Sequence, residues 1–448
     1  MYTSQLTGQW RAWVDQLAKP LHGRSSWRLA RVVLGILLAH GRRTVSSWWR
    51  AAEVGEQFRS YYNFLDAVGR KATAVATVVL ALVRSELKTG DERWLLAIDD
   101  TPTQRYGPKV QGAGIHHNPT PGPAGSQFLY GHSWVVLNRV LHHPHSGTIG
   151  LPLLGKLYIR EKDVPDLPAD IDWEFRTKLE LAAELITWAG AEMVESSRRP
   201  WVAVDGAYAN REFIKPAKRA GFAVVARLRR DAELYDLPRP LKPGERRGRG
   251  RPPVYGKNRL SLAKRAGQTR GWQTVAVVST TGQVVTKTYK TFLATWHPAG
   301  GVVRVVILKE EDGSWRAYLC TDPDADVQEV VQAVVDRWSI EQNFHDLKEV
   351  EGIEQVQLRR VWSNVGALNL NLWVHTLVEL WGWHRPSEQL SDRSESPWDD
   401  AARRPSHADR RKSLQREMFD SAFQEGYGRL PIPRKIRELF DRMVRMVA

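Results

Sequence analysis

The stretch Trp94-Leu-Leu-Ala-Ile-Asp-Asp-Thr-Pro102 decides how this chain is read. An apolar run that stops at two carboxylates describes a buried strand with chemistry at its end, and a strand end is a rigid mount for a reactive group. A second stretch has the same form, Trp201-Val-Ala-Val-Asp-Gly-Ala-Tyr208, and its Gly206 lets another group approach the backbone closely. The alternative for each is an Asp turn or a helix cap. Working outward, short apolar runs alternate with turn signals and helices: Trp94 to Ile98, Ser133 to Leu137, Leu151 to Ile159, a helix from Arg176 to Ala189, Trp201 to Val204, a further helix, then Phe222 to Leu228. Strands followed by helices predict an α/β core.

A third carboxylate lies in Asp336-Arg-Trp-Ser-Ile-Glu-Gln-Asn-Phe-His-Asp-Leu-Lys-Glu349, inside a helical pattern expected from Val327 to about Glu349. At about 100° per residue, Arg337, Glu341, His345 and Lys348 fall within roughly an 80° arc, so one face carries a carboxylate flanked by cations. An exposed face with ordinary ion pairs is the alternative. If the three sites converge, two strand carboxylates and one helix carboxylate supply the hard oxygen ligands that two Mg²⁺ ions need. Such ions sit roughly 3.5 to 4 Å apart and stabilise attacking and leaving oxygens together.

Composition agrees with a polyanionic partner. The 448 residues exceed one typical domain, and 65 Lys+Arg against 50 Asp+Glu give a formal charge of +15. Charge alone does not separate DNA from RNA or anionic lipid. Lipid is the weakest of the three, because Val32 to Ala39 and Thr73 to Val83, the longest apolar stretches, fall short of the roughly 20 residues a membrane helix needs. The N-terminus shows no charged segment, apolar core and small-residue cleavage site in that order, so a cytoplasmic protein is expected. A single cysteine, Cys320, excludes an intrachain disulfide and a cysteine zinc cluster, leaving Asp, Glu and His as metal ligands.

Residues 1–90 read as a small helical module, with Leu29, Val32, Val33, Ile36 and Leu37 at helical spacing. Residues 91–228 hold the first part of the core. Residues 229–325 read as an inserted β-rich subdomain, with alternation in Gln273 to Val278, Val284 to Thr295, Val302 to Leu308 and Trp315 to Leu319. Residues 326–382 return to helix, with a second apolar helix from Ala367 to Trp381, and 383–448 read as a polar linker and a basic helical region. Charge is concentrated between Arg227 and Arg270, where 14 Lys+Arg face 4 Asp+Glu. Within it, Arg246, Arg247, Arg249 and Arg251 are expected to contact DNA phosphates, the alternative being a solvated tail.

Two further groups compete for attention. Six of the thirteen histidines fall between Gly112 and His145, at spacings that fit no zinc motif, and His132 is a weaker candidate to approach the active site. Trp48 and Trp49, with Arg42, Arg43 and Arg50, suit a DNA-reading helix, although tryptophans at helical spacing more often belong to a core.

The helix segment resembles the signature of a large family of insertion-sequence DDE transposases, Tyr-x2-Arg-x3-Glu-x6-Lys, met here by Arg337, Glu341 and Lys348. Trp94 to Thr101 is similar to the family's first catalytic strand, in which the second acid of the pair is the ligand, and Trp201 to Tyr208 resembles the second. The resemblance runs to about residue 380. It implies an RNase H-like core interrupted by a β-rich insertion, with helical N- and C-terminal regions, the N-terminal one binding DNA. It assigns Asp100, over Asp99, together with Asp205 and Glu341 as catalytic metal ligands for two Mg²⁺ ions, with Mn²⁺ as the expected substitute. The implied activity is cut-and-paste transposition: inverted-repeat ends are bound, cleaved and joined to target DNA. The implied partners are double-stranded DNA and a second copy of the chain on that DNA, at the bacterial nucleoid. Arg337 and Lys348 would grip phosphates. One departure stands out: Val334 occupies the tyrosine position and cannot donate a hydrogen bond. The family also stacks a flipped base on a tryptophan of the insertion, for which Trp272, Trp296 and Trp315 are equivalents that no motif separates. The competing functions are a domesticated or defective transposase that binds DNA without cutting, and a ribonuclease or repair nuclease on the same fold, which needs neither the long insertion nor the basic terminal modules.

Overall fold

The computed structural model describes residues 6, 8–88, 92–118, 121, 125–193, 197–239, 251–393, 398–400, 402–428 and 431–447. Arg246, Arg247 and Arg249 lie outside the described residues; Arg251 is described and exposed.

The chain opens with six helices: α1 (Gly8–Ala18), α2 (Gly23–Ser26), α3 (Arg28–Leu38), α4 (Val45–Ala51), α5 (Phe58–Arg70) and α6 (Ala72–Leu87). On α3 the five residues picked out by their spacing are all buried. Trp48 and Trp49 of α4 are buried too, so they serve the core and do not form a DNA-reading surface.

One mixed sheet follows. Its first part comprises β1 (Leu95–Gln104), β2 (Gly114–His117), β3 (Phe128–His143), β4 (Gly147–Tyr158), β5 (Trp201–Val204) and β6 (Ala223–Leu228). The core order is β4-β3-β1-β5-β6, with β3 antiparallel to β1 and the β1, β5 and β6 strands parallel. This is the strand order and polarity of the RNase H-like fold. Helices α7 (Lys178–Glu192) and α8 (Arg211–Arg219) make the crossovers. Thr177 and Glu180 form a capping box that starts α7.

The inserted segment adds β7 (Leu234–Tyr235), β8 (Arg259–Leu260), α9 (Leu262–Gly267), β9 (Gln273–Val278), β10 (Val284–Trp296), β11 (Gly301–Lys309) and β12 (Trp315–Cys320). These strands extend the core sheet instead of forming one of their own: β12 pairs antiparallel with β6, and β11 and β10 follow outward.

The expected helix from Val327 to Glu349 is divided into α10 (Val327–Asp336) and α11 (Trp338–Glu349). Arg337 between them keeps helical dihedrals, but the Ile340 amide bonds back to the Arg337 carbonyl, three residues away, so the hydrogen-bond ladder slips at that point. Next come α12 (Val361–Gly382), buried on nearly every side, α13 (Ser387–Leu390), α14 (His407–Tyr427) and α15 (Arg434–Val447). α12 crosses α5 where two glycines meet: a Cβ on Gly69 would stand 2.0 Å from the Trp362 carbonyl oxygen, and one on Gly366 2.1 Å from that of Leu65. The helices touch backbone to backbone, which fastens the N-terminal helices to the core.

No helix among the described residues is long and apolar enough to cross a membrane.

Candidate active site

Asp99 and Asp100 do not end their strand. β1 runs through them to Gln104, with Thr103 accepting a hydrogen bond from the Trp134 indole at 2.9 Å. On its other side, β1 pairs with β5 only as far as Ile98 opposite Val204. The next residues of the two strands are Asp99 and Asp205, which therefore emerge side by side where the pairing stops. The Asp205 side chain does not cap the short turn Gly206–Tyr208 that follows, so the capping alternative is not realised.

Strand register decides which way each acid faces, because neighbours across a sheet share a face and successive residues alternate. Asp99 stands opposite Val136, and Val136 opposite Gly155. A Cβ on Gly155 would meet Leu368 and Leu372 of α12, so this is the face covered by α11 and α12. Asp100 stands opposite Val135, and Val135 opposite Lys156, which pairs with Glu184 of α7. Asp100 thus faces α7, and Lys178 of α7 forms an ion pair with it.

Arg337 closes the first face. Its guanidinium donates to Asp99 Oδ2 at 3.0 Å and to Glu341 Oε1 at 2.8 Å. The structure therefore brings Asp99 and Glu341 together through Arg337, with Asp205 beside Asp99. Asp100 belongs to a different set of contacts: besides Lys178, the Tyr208 hydroxyl donates to its Oδ1 at 2.9 Å. Burial pushes the Asp99 carboxyl up to about 7; Arg337 opposes this, and the negative charges of Asp100 and Asp205 add to it. The Tyr208 hydroxyl is pushed up, first by burial and then by Asp100. All donors here are carboxylate oxygens, the chemistry that suits Mg²⁺ or Mn²⁺.

The other sequence candidates are dispersed. Lys348 is two turns beyond Glu341, roughly 10 Å along the axis, and pairs with Glu354 at 3.5 Å. Val334 packs against the hydrophobic core. Of the three insertion tryptophans, Trp296 is buried, Trp272 lies under Lys290 and Trp315 under Arg230. Trp338, which the sequence reading passed over, is exposed at the first turn of α11 beside Arg337. His132 is buried with Nε2 at 3.0 Å from the Gln111 carbonyl, far in role from the acids, and burial lowers its ring to about 3. The histidines between Gly112 and His145 also part company: His142 bonds Asp336 and His143 the Trp383 carbonyl. Lys178 and Tyr208 were missed as partners of the acids. Tyr208 was within the quoted motif, whereas nothing local marks Lys178.

Among the described residues, the group of three His, Asp or Glu side chains whose ligand atoms lie within 4.8 Å of one another is elsewhere: Glu351, His375 and His407, all buried. The acids around Arg337 are held further apart, with the guanidinium between Asp99 and Glu341.

A sheet of RNase H-like order, with acids gathered where the pairing of its two central parallel strands stops, defines the α/β class of the protein. More specifically, the profile described as DDE superfamily endonuclease matches residues 16–297, and the chain belongs to that family. The match includes Asp99, Asp100 and Asp205 and stops before Glu341. No curated protein matches the chain. Among solved structures, a piggyBac transposase synaptic complex with hairpin DNA is similar at 11% identity, over 91% of this chain and 84% of that one, with a TM-score of 0.31.

Proposed function

We propose that this chain is a Mg²⁺-dependent DDE transposase that binds the inverted-repeat ends of its own element, cleaves them and joins the freed 3′ hydroxyl to target DNA. The observation that carries the proposal is that Arg337 holds Asp99 and Glu341 together, with Asp205 leaving β5 beside Asp99. Bound divalent ions, with Mn²⁺ able to replace Mg²⁺, would polarise the phosphoryl oxygens and supply an attacking hydroxide.

The residues around the ions have separable tasks. Asp205 and Glu341 present carboxylate oxygens from a strand end and from a helix. The third strand ligand is Asp100 by the family resemblance and Asp99 by the face it occupies; we favour Asp99, with Asp100 held by Lys178 and Tyr208 to fix β1 from behind. Arg337 neutralises the crowded acids, and with divalent ions bound at those acids its guanidinium would be available to hold a backbone phosphate next to the scissile one. Lys348 and the basic arm with Arg246, Arg247, Arg249 and Arg251 extend the phosphate contacts along the strand. Residues 1–90 contribute DNA contacts, and pairing of two ends uses two copies of the chain at the nucleoid.

A second reading, DNA binding without cleavage, is favoured by Val334, a half-buried apolar side chain packed against the core at the position of a phosphate-contacting tyrosine. One experiment separates the two: incubate purified protein and Mg²⁺ with the DNA flanking its own gene and map cuts at nucleotide resolution. Cuts at matching inverted repeats support the transposase, and binding with intact DNA supports the second reading.

A further inference from the structure

Beyond the C-terminal end of α11 lies a charged cluster that the reaction does not use. Glu351 follows the helix by two residues; His375 and Glu379 are one turn apart on α12; His407, Arg410 and Arg411 open α14. All six are buried. Arg411 binds Glu351 and also donates to the Ile36 and Leu37 carbonyls of α3. Four segments distant in sequence thus meet around charged groups that have left water.

His407 is at the centre. Its Nδ1 is 2.7 Å from Glu379 Oε1 and its Nε2 2.9 Å from Glu351 Oε1. A neutral imidazole has one N–H, so two carboxylate acceptors require either an imidazolium or a protonated acid. Arg411 on Glu351 and Arg410, at 3.5 Å from Glu379, favour ionised acids, which places the proton on the ring. The ionisation trends agree. Burial acts against every charge here, yet Arg411 and His407 hold Glu351 well below the usual range, Arg410 and His407 do the same for Glu379, and the two acids raise His407 to about 9.

The same residues superficially suit a metal, but their geometry opposes one. The His375 and His407 rings are stacked at 3.7 Å with 18° between planes, so their nitrogens point alongside each other instead of converging. Both nitrogens of His407 are already engaged, and Arg411 occupies the second oxygen of Glu351.

The cluster is tied to the candidate active site through α11 itself. Asn343, two residues beyond Glu341, donates from Nδ2 to His375 Nε2 at 2.8 Å and to the Gly150 carbonyl at 2.8 Å. Accepting at Nε2 makes His375 a neutral ring, in keeping with burial lowering it to about 3. The Glu351 amide caps α11 by bonding to the Asp346 carbonyl at 3.0 Å. Asp346 of α11, Arg404 ahead of α14 and Arg43 ahead of α4 complete the charged surroundings.

We propose that this cluster holds a proton where a metal ion would otherwise be expected, and that the buried His407 imidazolium is a positioning group that fixes α11 and thereby Glu341. The positioning claim rests on the endonuclease reading for its catalytic consequence; the proton and the fixing of α11 do not.

The test uses the full-length protein. Elemental analysis after dialysis against EDTA should find no stoichiometric metal, and the melting midpoint should be the same with and without EDTA. Because the folded-state value of His407 lies above its free value, its stabilisation is complete below about 6.5 and is lost as pH rises through about 9. The midpoint should therefore fall across that window in the wild type, and the fall should vanish in His407→Gln. In the same variant, amide exchange across α11 should quicken without DNA present, and cleavage turnover should drop on the order of 10-fold while DNA affinity holds. If His407→Gln does not fold, Asn343→Leu cuts the tether while leaving the imidazolium, and the same loss of turnover and protection is expected. A tightly held metal with an EDTA-sensitive midpoint, a wild-type midpoint flat from pH 7 to 10, or variants with unchanged α11 exchange would overturn the proposal. A wild type that cuts no DNA sinks the endonuclease reading instead, leaving the midpoint and exchange results to decide this one.

Discussion

At the N-terminal end of α11, Asp99 and Glu341 share Arg337, with Asp205 beside Asp99 and Asp100 bound by Lys178; past the C-terminal end, Glu351 and Glu379 are bound by Arg410, Arg411 and His407. The first site has four carboxylates for two cations and is half-open, the Glu341 side chain being 39% exposed. The second has two carboxylates for three cations and is closed, with Glu351 at 0%. Acid in excess at an accessible place invites a divalent cation, whereas acid fully matched in the interior has nothing left to bind. One helix therefore connects a site built to be completed from outside with a site completed by the chain itself.

Removing acids should affect the two ends in opposite ways. At the open end, Asp205→Asn and Glu341→Gln should reduce DNA cleavage to background, measured on end-labelled inverted-repeat substrate, while melting midpoints hold or rise because like charges are relieved. Asp99→Asn should match them. Asp100→Asn should retain measurable cutting, down roughly 10- to 100-fold, as expected for a supporting group; the reverse ranking would restore Asp100 as the ligand.

At the closed end, Glu351→Ala strands Arg411 and His407 without their partner, and about 3–5 kcal/mol of stability should be lost in denaturant titrations. A loss under about 1 kcal/mol would mean that water enters the cluster.

Acid sharpens the comparison next. His132 and His375 are lowered to about 3, so the unfolded chain binds protons that the folded one refuses between pH 6.5 and 3. Stability should fall as pH drops through that interval, and the depressed Glu351 and Glu379 act in the same direction at its lower end. The raised Asp99 carboxyl acts in the opposite direction between pH 7 and 4, so the measurement is made in Asp99→Asn, where unfolding midpoints that stay level over that interval would contradict the buried neutral rings.

The smallest effect is expected at the exposed Arg251. Arg251→Ala should lower the slope of log affinity against log salt by about 0.9 if it meets one duplex phosphate. An unchanged slope would make it a solvated side chain.

Local pattern carried much of this into view. β5 and β9 have the bounds their apolar runs predict, because turn residues punctuate both ends. β1 extends past its apolar run because Thr101 and Thr103 maintain strand geometry and are buried against β3, a contact visible only once β3 is placed. That acids follow the apolar runs of β1 and β5 and that another lies on α11 was legible; that β1 continues through Asp99 and Asp100 was not. Which face each Asp of the Asp99–Asp100 pair takes was not, since it depends on register with β3 and β4, and Lys178 reaches Asp100 across 78 positions of sequence. The closed cluster was least legible of all: residues 383–448 read as a polar linker and a basic helical region, and only tertiary packing distinguishes the interior Arg410 and Arg411 from solvated arginines.

The crossing of α5 and α12 at Gly69 and Gly366 has an evolutionary corollary. With a side chain at neither position tolerated, and the Leu65 and Trp362 carbonyls seated against those glycines, the N-terminal helices are not an interchangeable cassette. Grafting them onto a relative's core, or exchanging them for another helical module, would require the recipient helix to carry the matching small residues at the same spacing. Change in these helices would then proceed by altering exposed residues in place, and shuffling of the N-terminal helices as a unit would be selected against.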